Sequence, residues 1–434
     1  MTDASCSGDI QLDVLMEASV GSPVGQLRAR PMRLGADRPR AFLAAYCADF
    51  DVDPYVEMFF FPTDALKLAV YTEAGERLWR RDLGPGVVPG HWFCPVCAFD
   101  LDGDGVDEVW FVNNLNTDHP LGLSGYRLER LNAESGETTG QWQWPNNGGN
   151  QSLSHTFRNF IVGGYARGEP VLVTAQGTYG HMFLQAWRPD MSLRWERHIA
   201  NDEPGARGSH GCPIVDLNDD GVDEIMWGER CIELDGGREL FCADRDVYRG
   251  HSDIIQPFRD PASGRWLIYT CRESDPQASP RVVVFNDRGE RVWGHVDRGH
   301  IDMGWVANLG EERALVAMAI RIGRKTCGPD GRFHYGCDEF TFDAVTGEEH
   351  PLPFSTYGTR PVDLDGDGYH ELVRGMAGQN GEVFDRHGNA IGSVGGPTAL
   401  IGSILDRPGE QILTYYPDGT VRVWADRNAR APRE

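Results

Sequence analysis

One phrase recurs along this chain and limits its folding more than any other feature. A short β-rich run leads into an Asp-rich loop, a second apolar run follows, and a Gly-containing turn, often with Trp, closes the unit. The clearest copies are FCPVCAFDLDGDGVDEVWFV (93–112), CPIVDLNDDGVDEIMWG (212–228) and RPVDLDGDGYHELVRG (360–375). The closing part recurs as LKLAVYTEAGERLW (66–79), VVVFNDRGERVW (282–293) and VRVWADRNA (421–429). Each closing copy reads as strand, hairpin turn, strand. A chain that repeats one supersecondary unit builds a repeat architecture.

Divided on these signals, units begin near Gly25, His91, His155, His210, His251, His300, Thr359 and Thr398. Over 434 residues that spacing approaches the roughly 40–50 residues of a four-stranded propeller blade. No long amphipathic helical pattern intervenes, and 53 Gly and 26 Pro supply the turns. The expected fold is all-β, a single β-propeller of seven or eight four-stranded blades over residues 25–434. Residues 1–24 are expected as an N-terminal extension that packs outside or completes a blade.

The Asp-rich loops predict Ca2+ sites. Loop one offers Asp100, Asp102, Asp104 and Asp107, followed by Glu108; loop two offers Asp216, Asn218, Asp220 and Asp223, followed by Glu224. Loop three offers Asp363, Asp365 and Asp367, with His370 in the fourth place and Glu371 after it. Alternate oxygen ligands around a turn-permitting Gly suit Ca2+. The loops run into strands, so a structural role for two or three ions is expected. Their spacing resembles the FG-GAP repeats of integrin-type and lyase-type propellers. Asp49, Asp51 and Asp53 read as a degenerate fourth loop.

Composition excludes several classes. With 40% hydrophobic and 10% aromatic residues, wholesale disorder is excluded. The net charge of −24, with 65 acidic against 41 basic residues, excludes nonspecific nucleic-acid binding. Apolar runs such as Ala314 to Ile320 are too short to span a bilayer, so no membrane partner is expected. The start, MTDASCSGDIQLDVL, has neither a basic nor an apolar leader region. As written the chain reads as cytoplasmic, or as secreted or periplasmic if a leader was removed. A monomer is expected.

Five units open with a His preceded by Gly or Ser: His91, His155, His210, His251 and His300. Equivalent repeat positions form a ring in a propeller, so these five predict a functional face. The unit NNGGNQSLSHTFRNFIVGG (146–164) is polar where its neighbours carry Asp loops, and it leads on to His181. Ten cysteines are scattered. Cys231 and Cys242 with His210 and His251 offer a structural Zn2+ set; Cys327 and Cys337 flank a loop that a disulfide or metal could close. Cys94 and Cys97 lack the βαβ context of a redox motif.

The segments ERLWRRDLGPGVVPGHWFCPVCAFDLDGDGVDEVW (76–110) and SHGCPIVDLNDDGVDEIMWG (209–228), with the later phrases GHSD and GHIDMGW, resemble the propeller polysaccharide lyases. These are the rhamnogalacturonan lyases of polysaccharide lyase family 11 and the ulvan lyases of families 24 and 25. The resemblance runs from about Glu76 to Gly375. It implies β-elimination at a uronate of an acidic polysaccharide or oligosaccharide, with ulvan as first substrate and rhamnogalacturonan as second. It implies His155, His181, Tyr248 and Arg272 as catalytic residues. Arg272 would neutralise the carboxylate while His and Tyr share the base and acid roles. His91, His251, His300 and Arg249 would bind substrate, Arg249 also lowering the Tyr248 pKa. The rival expectation is a non-catalytic FG-GAP-type propeller that binds glycan or protein. A glycoside hydrolase needs two facing carboxylates, and no acidic pair outside the Asp loops stands out.

Overall fold

A computed structural model describes residues 10–116, 119–145, 150, 152–273, 278–311, 314–327 and 333–430. They form eight antiparallel sheets arranged as the blades of a propeller, almost without helix. Blade 1 consists of β2 (Gln26–Met32), β3 (Ala41–Cys47), β4 (Lys67–Thr72) and β5 (Arg77–Asp82). Blades 2 to 5 begin with β6 (Val96–Phe99), β10 (Asn159–Ala166), β14 (Ile214–Val215) and β18 (Ser252–Arg259). Blade 6 begins with β22 (His300–Asn308), blade 7 with β27 (Thr359–Val362) and blade 8 with β31 (Thr398–Gly402). The expected eight units are therefore the eight blades, and each expected start falls within a few residues of an inner strand.

The ring closes across the termini. β1 (Leu12–Ser19) pairs antiparallel with β33 (Thr420–Asp426), so the last blade takes its outer strand from the segment expected as an extension. Blade 6 is irregular. The hairpin of β24 (Thr326–Cys327) and β25 (Phe333–His334) is inserted between its second strand and β26 (Cys337–Asp343), and its outer edge is a single bridge, Phe342 to Glu349.

Second strands are sandwiched between neighbouring sheets, which explains their unbroken apolar runs. Every residue of β3, AFLAAYC, is buried. Ala41, Leu43, Ala45 and Cys47 face the core shared with blade 2, whereas Phe42, Ala44 and Tyr46 face blade 8. This is the two-residue period of a strand applied to two interfaces. The closing Trp has an inter-blade role. Trp79, Trp195 and Trp293 donate their indole N–H to Ala133, Leu234 and Ala344 of the next blade, at 2.7, 2.7 and 3.0 Å.

The three Asp loops share one geometry. The first Asp of each accepts two loop amides: Asp100 from Gly103 and Gly105, Asp216 from Asp220 and Gly221, Asp363 from Gly366 and Gly368. The following Glu caps the loop from within. Glu108, Glu224 and Glu371 accept the amides of Leu101, Leu217 and Leu364 at 2.9, 2.9 and 3.0 Å. Asp100, Asp102 and Asp104 bring their oxygens within 4.8 Å of one another, as do Asp363, Asp365 and Asp367. The fourth position has a further role that the spacing does not give. Asp107 accepts the Arg33 amide at 2.6 Å, Asp223 the Tyr165 amide at 2.7 Å, and Nδ1 of His370 the Asn308 amide at 3.1 Å. All three donors lie in the preceding blade. Position four is an inter-blade acceptor, and His serves there as well as Asp because only a lone pair is required. Asp49, Asp51 and Asp53 form no fourth loop. Asp49 caps Thr63 and Asp64, Asp51 bonds His91, and Asp53 bonds Arg158.

Candidate active site

Inner-strand starts and the turns joining second to third strands lie on the same edge of every blade. On that edge blades 2 to 6 bring His91, Trp92, His155, Arg158, Tyr179, His210, His251, Asp253, Glu273, His300 and Asp302 into one connected cluster. At its centre one ligand-capable atom each of His210, His251, Asp253 and Glu273 lies within 4.8 Å of the others, and Asp253, His300 and Asp302 form an adjoining set. Asp253 is shared. Its Oδ1 is 3.2 Å from His210 Nδ1 and its Oδ2 3.3 Å from His300 Nε2. His251 Nδ1 meets Glu273 Oε2 at 2.7 Å, and His300 Nε2 meets Asp302 Oδ1 at 3.1 Å.

Local backbone form aims these groups. Asp253 interrupts the register of β18 between Ser252 and Ile254, and Asp302 that of β22 between Ile301 and Met303. A bulge re-aims a side chain without ending the strand. Tyr179 sits at φ 76, a conformation costly for an aromatic residue. Its hydroxyl donates to Glu273 at 2.8 Å, and its ring lies 4.2 Å from that of His251 and 5.8 Å from that of His155.

The electrostatics suit a cation. Both oxygens of Asp253 and Nε2 of His300 are buried without a well-oriented hydrogen bond among the described residues, despite their short separations. Burial holds His210 well below the usual His range, and it lowers His251 as well. Burial acts to raise Glu273, but the hydrogen bond from His251, with the charge of His300 and the Tyr179 hydroxyl, brings it down to about 2. Burial also opposes charge on His300, yet Asp253 and Asp302 lift it to about 9. The neutral imidazoles of His210 and His251 beside Asp253 and Glu273, with both Asp253 oxygens buried and unsatisfied, form a donor set that fits a divalent metal ion, and His300 stands next to it as an imidazolium.

The sequence-expected residues divide sharply. His155 and His181 are joined through Asn150, whose Nδ2 donates to both carbonyls at 3.0 and 2.9 Å. Only the His155 ring faces Tyr179; His181 stacks on His198 at 5.7 Å. His91 packs on Trp92 and is bound by Asp51. His251 and His300 lie in the central cluster, and Arg249 is exposed in the loop before it. Tyr248 and Arg272 are elsewhere. Arg272 is fully buried between Glu229 and Asp244, its guanidinium 4.2 Å from the Tyr248 ring. Tyr248 is fully buried too, and its hydroxyl donates to the His251 carbonyl. Neither can touch a bound sugar in this arrangement.

The expected zinc set is also corrected. His210 and His251 pair with carboxylates, whereas Cys231 is buried in a blade core and Cys242 sits beside Arg230. Burial pushes the Cys242 thiol up to about 11, and Cys94 and Cys97 up to about 12. The Cys327 side chain lies outside the described residues. Sequence reading missed Asp253, Asp302, Glu273, Tyr179 and Arg158. The repeated His-x-Asp of GHSD and GHID was a usable signal for the first two. Arg158 is 4% exposed and lies over Trp92 and Tyr179 at 4.9 and 5.4 Å. It donates to Asp53, while its Nε and Nη1 have no hydrogen-bond partner among the described residues.

The fold and cluster define a β-propeller with a metal-suited centre on one face. No protein-family model matches the chain. It is 27% identical over 300 residues to the rhamnogalacturonan exolyase YesX of Bacillus subtilis, covering 56% of this chain and 48% of that protein. It is 24% identical over 272 residues to the rhamnogalacturonan endolyase YesW of the same organism, covering 49% and 43%. The aligned regions thus span about half the length of these relatives. The YesW crystal structure superposes with a TM-score of 0.71 at 17% identity, over 94% of this chain and 73% of that one. A rhamnogalacturonan lyase from Bacillus licheniformis gives 0.70 at 18%, over 98% and 76%. The biofilm matrix protein Bap1 of V. cholerae gives 0.54 at 11%, over 97% and 92%.

Proposed function

We propose that this chain is a polysaccharide lyase that cleaves rhamnogalacturonan by β-elimination at a uronate. The observation that carries the reading is the central cluster, in which histidines and carboxylates of three blades converge with buried lone pairs unsatisfied. The similarity to YesX and YesW supports the reaction class. It also favours rhamnogalacturonan over ulvan, reversing the order expected from the sequence.

A uronate C5 proton is weakly acidic until the adjoining carboxylate is neutralised. His210, His251, Asp253 and Glu273 would hold a divalent cation, with His300 and Asp302 beside it; two imidazoles with two carboxylates suit a transition metal, whereas the Ca2+ expected from the sequence belongs to the all-oxygen Asp loops. When bound, such an ion supplies Lewis-acid stabilisation of the carboxylate as charge develops on it. Arg158, buried over Trp92 and Tyr179, lends positive charge to this face in place of the direct contact expected of Arg272. His155 is the proton acceptor best placed on the face. Burial, with the charge of Arg158 adding to it, lowers its pKa and keeps the imidazole neutral. Tyr179 orients Glu273 and His251. Its own pKa is raised, by burial first, so it remains a protonated donor.

The test is formation of unsaturated uronate, followed by ultraviolet absorbance, on rhamnogalacturonan I, ulvan and polygalacturonate, in protein loaded with Ca2+ and with Mn2+ or Zn2+ in turn. Absorbance rising on rhamnogalacturonan I, and lost in Asp253→Asn, is the expected result. Silence on all three in folded protein under every metal would overturn the reading in favour of a binding propeller.

A further inference from the structure

Blade 1 carries a long connection between β3 and β4, residues 48–66, on the same edge as the candidate active site. It holds an unusual concentration of exposed apolar groups. Phe50, Tyr55, Val56, Met58 and Phe61 are five of the twelve large apolar side chains found exposed among the described residues. Val56 and Phe61 are each 68% exposed. Isolated exposed apolar residues need no explanation, whereas several on one loop at the edge of a candidate site point to a binding surface.

The loop is fixed in place. Phe61 meets Phe59 edge-on at 5.4 Å, and Phe59 lies 6.1 Å from Phe93, which is buried in the blade 2 core. Phe61 also borders a cavity of about 300 Å³ with Pro62, Pro85, Val87, Val88 and Pro120. Two carboxylates tie the loop to the site. Asp51 accepts the His91 amide at 2.9 Å, and Asp53 accepts from Arg158 at 3.1 Å. A polymer lying across the cluster would thus continue onto this loop.

We infer that residues 50–61 form a subsite for the neutral 6-deoxyhexose of the substrate, placed beyond the scissile uronate; this rests on the rhamnogalacturonan lyase reading. The chemistry of the loop selects that sugar. Residues 48–66 carry Asp49, Asp51, Asp53, Glu57 and Asp64 and no Lys or Arg. Asp51, Asp53 and Asp64 are paired with His91, Arg158 and Lys67, so the segment itself offers no cation to a uronate or an anionic lipid, and Asp49 and Glu57 oppose either. The segment would also repel its own copy in a symmetric dimer, where like patches meet. Rhamnose has no charge and carries a methyl group where other hexoses carry a hydroxymethyl. Its C–H face and methyl suit the aromatic faces of Tyr55 and Phe61. A platform pre-organised by Phe59 loses little freedom on binding.

The experiment is affinity electrophoresis of the full chain through gels containing rhamnogalacturonan I or polygalacturonate, with Asp253→Asn protein so that no substrate is consumed. Phe61→Ala and Val56→Ser remove exposed side chains; Phe61→Trp keeps an aromatic face. The expected result is weaker retardation of Phe61→Ala in rhamnogalacturonan I, by about fivefold in affinity or more, with Phe61→Trp restored. Polygalacturonate retardation stays unchanged. In the active background Phe61→Ala raises KM on rhamnogalacturonan I and leaves kcat alone. Cleavage with unaltered affinity in both Phe61→Ala and Val56→Ser would overturn the subsite and leave the lyase reading standing. Retardation that depends on Phe61 without any cleavage would sustain the sugar platform while the lyase reading fell. Unaltered retardation together with a dimer abolished by Phe61→Ala in sedimentation would assign the patch to self-association and overturn the inference.

Discussion

Arg272 and Glu229 form a bidentate ion pair in which neither side chain is exposed, with Nε–Oε1 at 2.7 Å and Nη2–Oε2 at 2.6 Å. Asp244 accepts from Nη2 at 2.7 Å and the Pro280 carbonyl from Nη1 at 3.0 Å. Removing one member of a buried pair strands the other charge and costs about 3–5 kcal/mol. Glu229→Gln should therefore lower the urea midpoint strongly, while turnover per folded molecule persists. Tyr248→Phe removes one hydroxyl bond and should cost only about 1 kcal/mol. Loss of turnover in folded Tyr248→Phe protein would return Tyr248 to the mechanism.

This pair also shows what sequence could not give. The order His155, His181, Tyr248, Arg272 is a linear signal, but burial is not linear. Arg272 stands next to Glu273 in sequence, yet the two side chains go to opposite tasks, one inside the blade and one in the cluster. The units and their starts were legible because each repeats its own strand and turn chemistry, although their number stood at seven or eight blades. The tight turn of each Asp loop was legible for the same reason. The inter-blade role of the fourth position was not, because Asp107, Asp223 and His370 answer to amides in another blade, which local spacing does not reveal. Tyr179, Glu273 and Arg158 belong to no repeated motif, and they meet only once the ring closes.

The fourth loop position should tolerate any acceptor of suitable reach. His370→Asn should retain the bond from the Asn308 amide, whereas His370→Ala leaves that amide without its partner. The expected cost of the alanine variant is about 1–3 kcal/mol, read by thermal or urea unfolding. Asp223→Ala should behave similarly through the Tyr165 amide. Equal stability of His370→Asn and His370→Ala would refute the acceptor role.

Metal removal should separate the two kinds of acidic set. An ion that binds only the folded chain stabilises it by about 2.7 kcal/mol at a hundredfold excess over Kd. Chelation should lower Tm, and Ca2+ should restore it. In a variant combining Asp100→Ala and Asp363→Ala, the calcium-dependent rise in Tm should shrink while lyase turnover remains. In Asp253→Asn the rise should largely persist while turnover is lost. A Tm indifferent to exhaustive chelation and to added Ca2+ would remove the loops as ion sites.

The Trp staple between blades yields a controlled comparison at two glycines. Gly237 and Gly264 both have φ +71. A Cβ at Gly264 would meet nothing within 4 Å, but one at Gly237 would lie 2.6 Å from Cδ2 of the Trp195 ring. Gly264→Ala therefore carries only the left-handed backbone cost, about 1–2 kcal/mol. Gly237→Ala carries the same cost and must also displace an indole whose N–H is bonded to Leu234 in the next blade. Overpacking of this kind costs about 1–3 kcal/mol more. The difference in unfolding free energy between the two variants isolates the contribution of the ring contact. Trp195→Ala in the Gly237→Ala background should recover part of that difference, because the clash disappears with the indole. Equal destabilisation by Gly237→Ala and Gly264→Ala would mean that the ring yields freely, and the Trp would then be no staple.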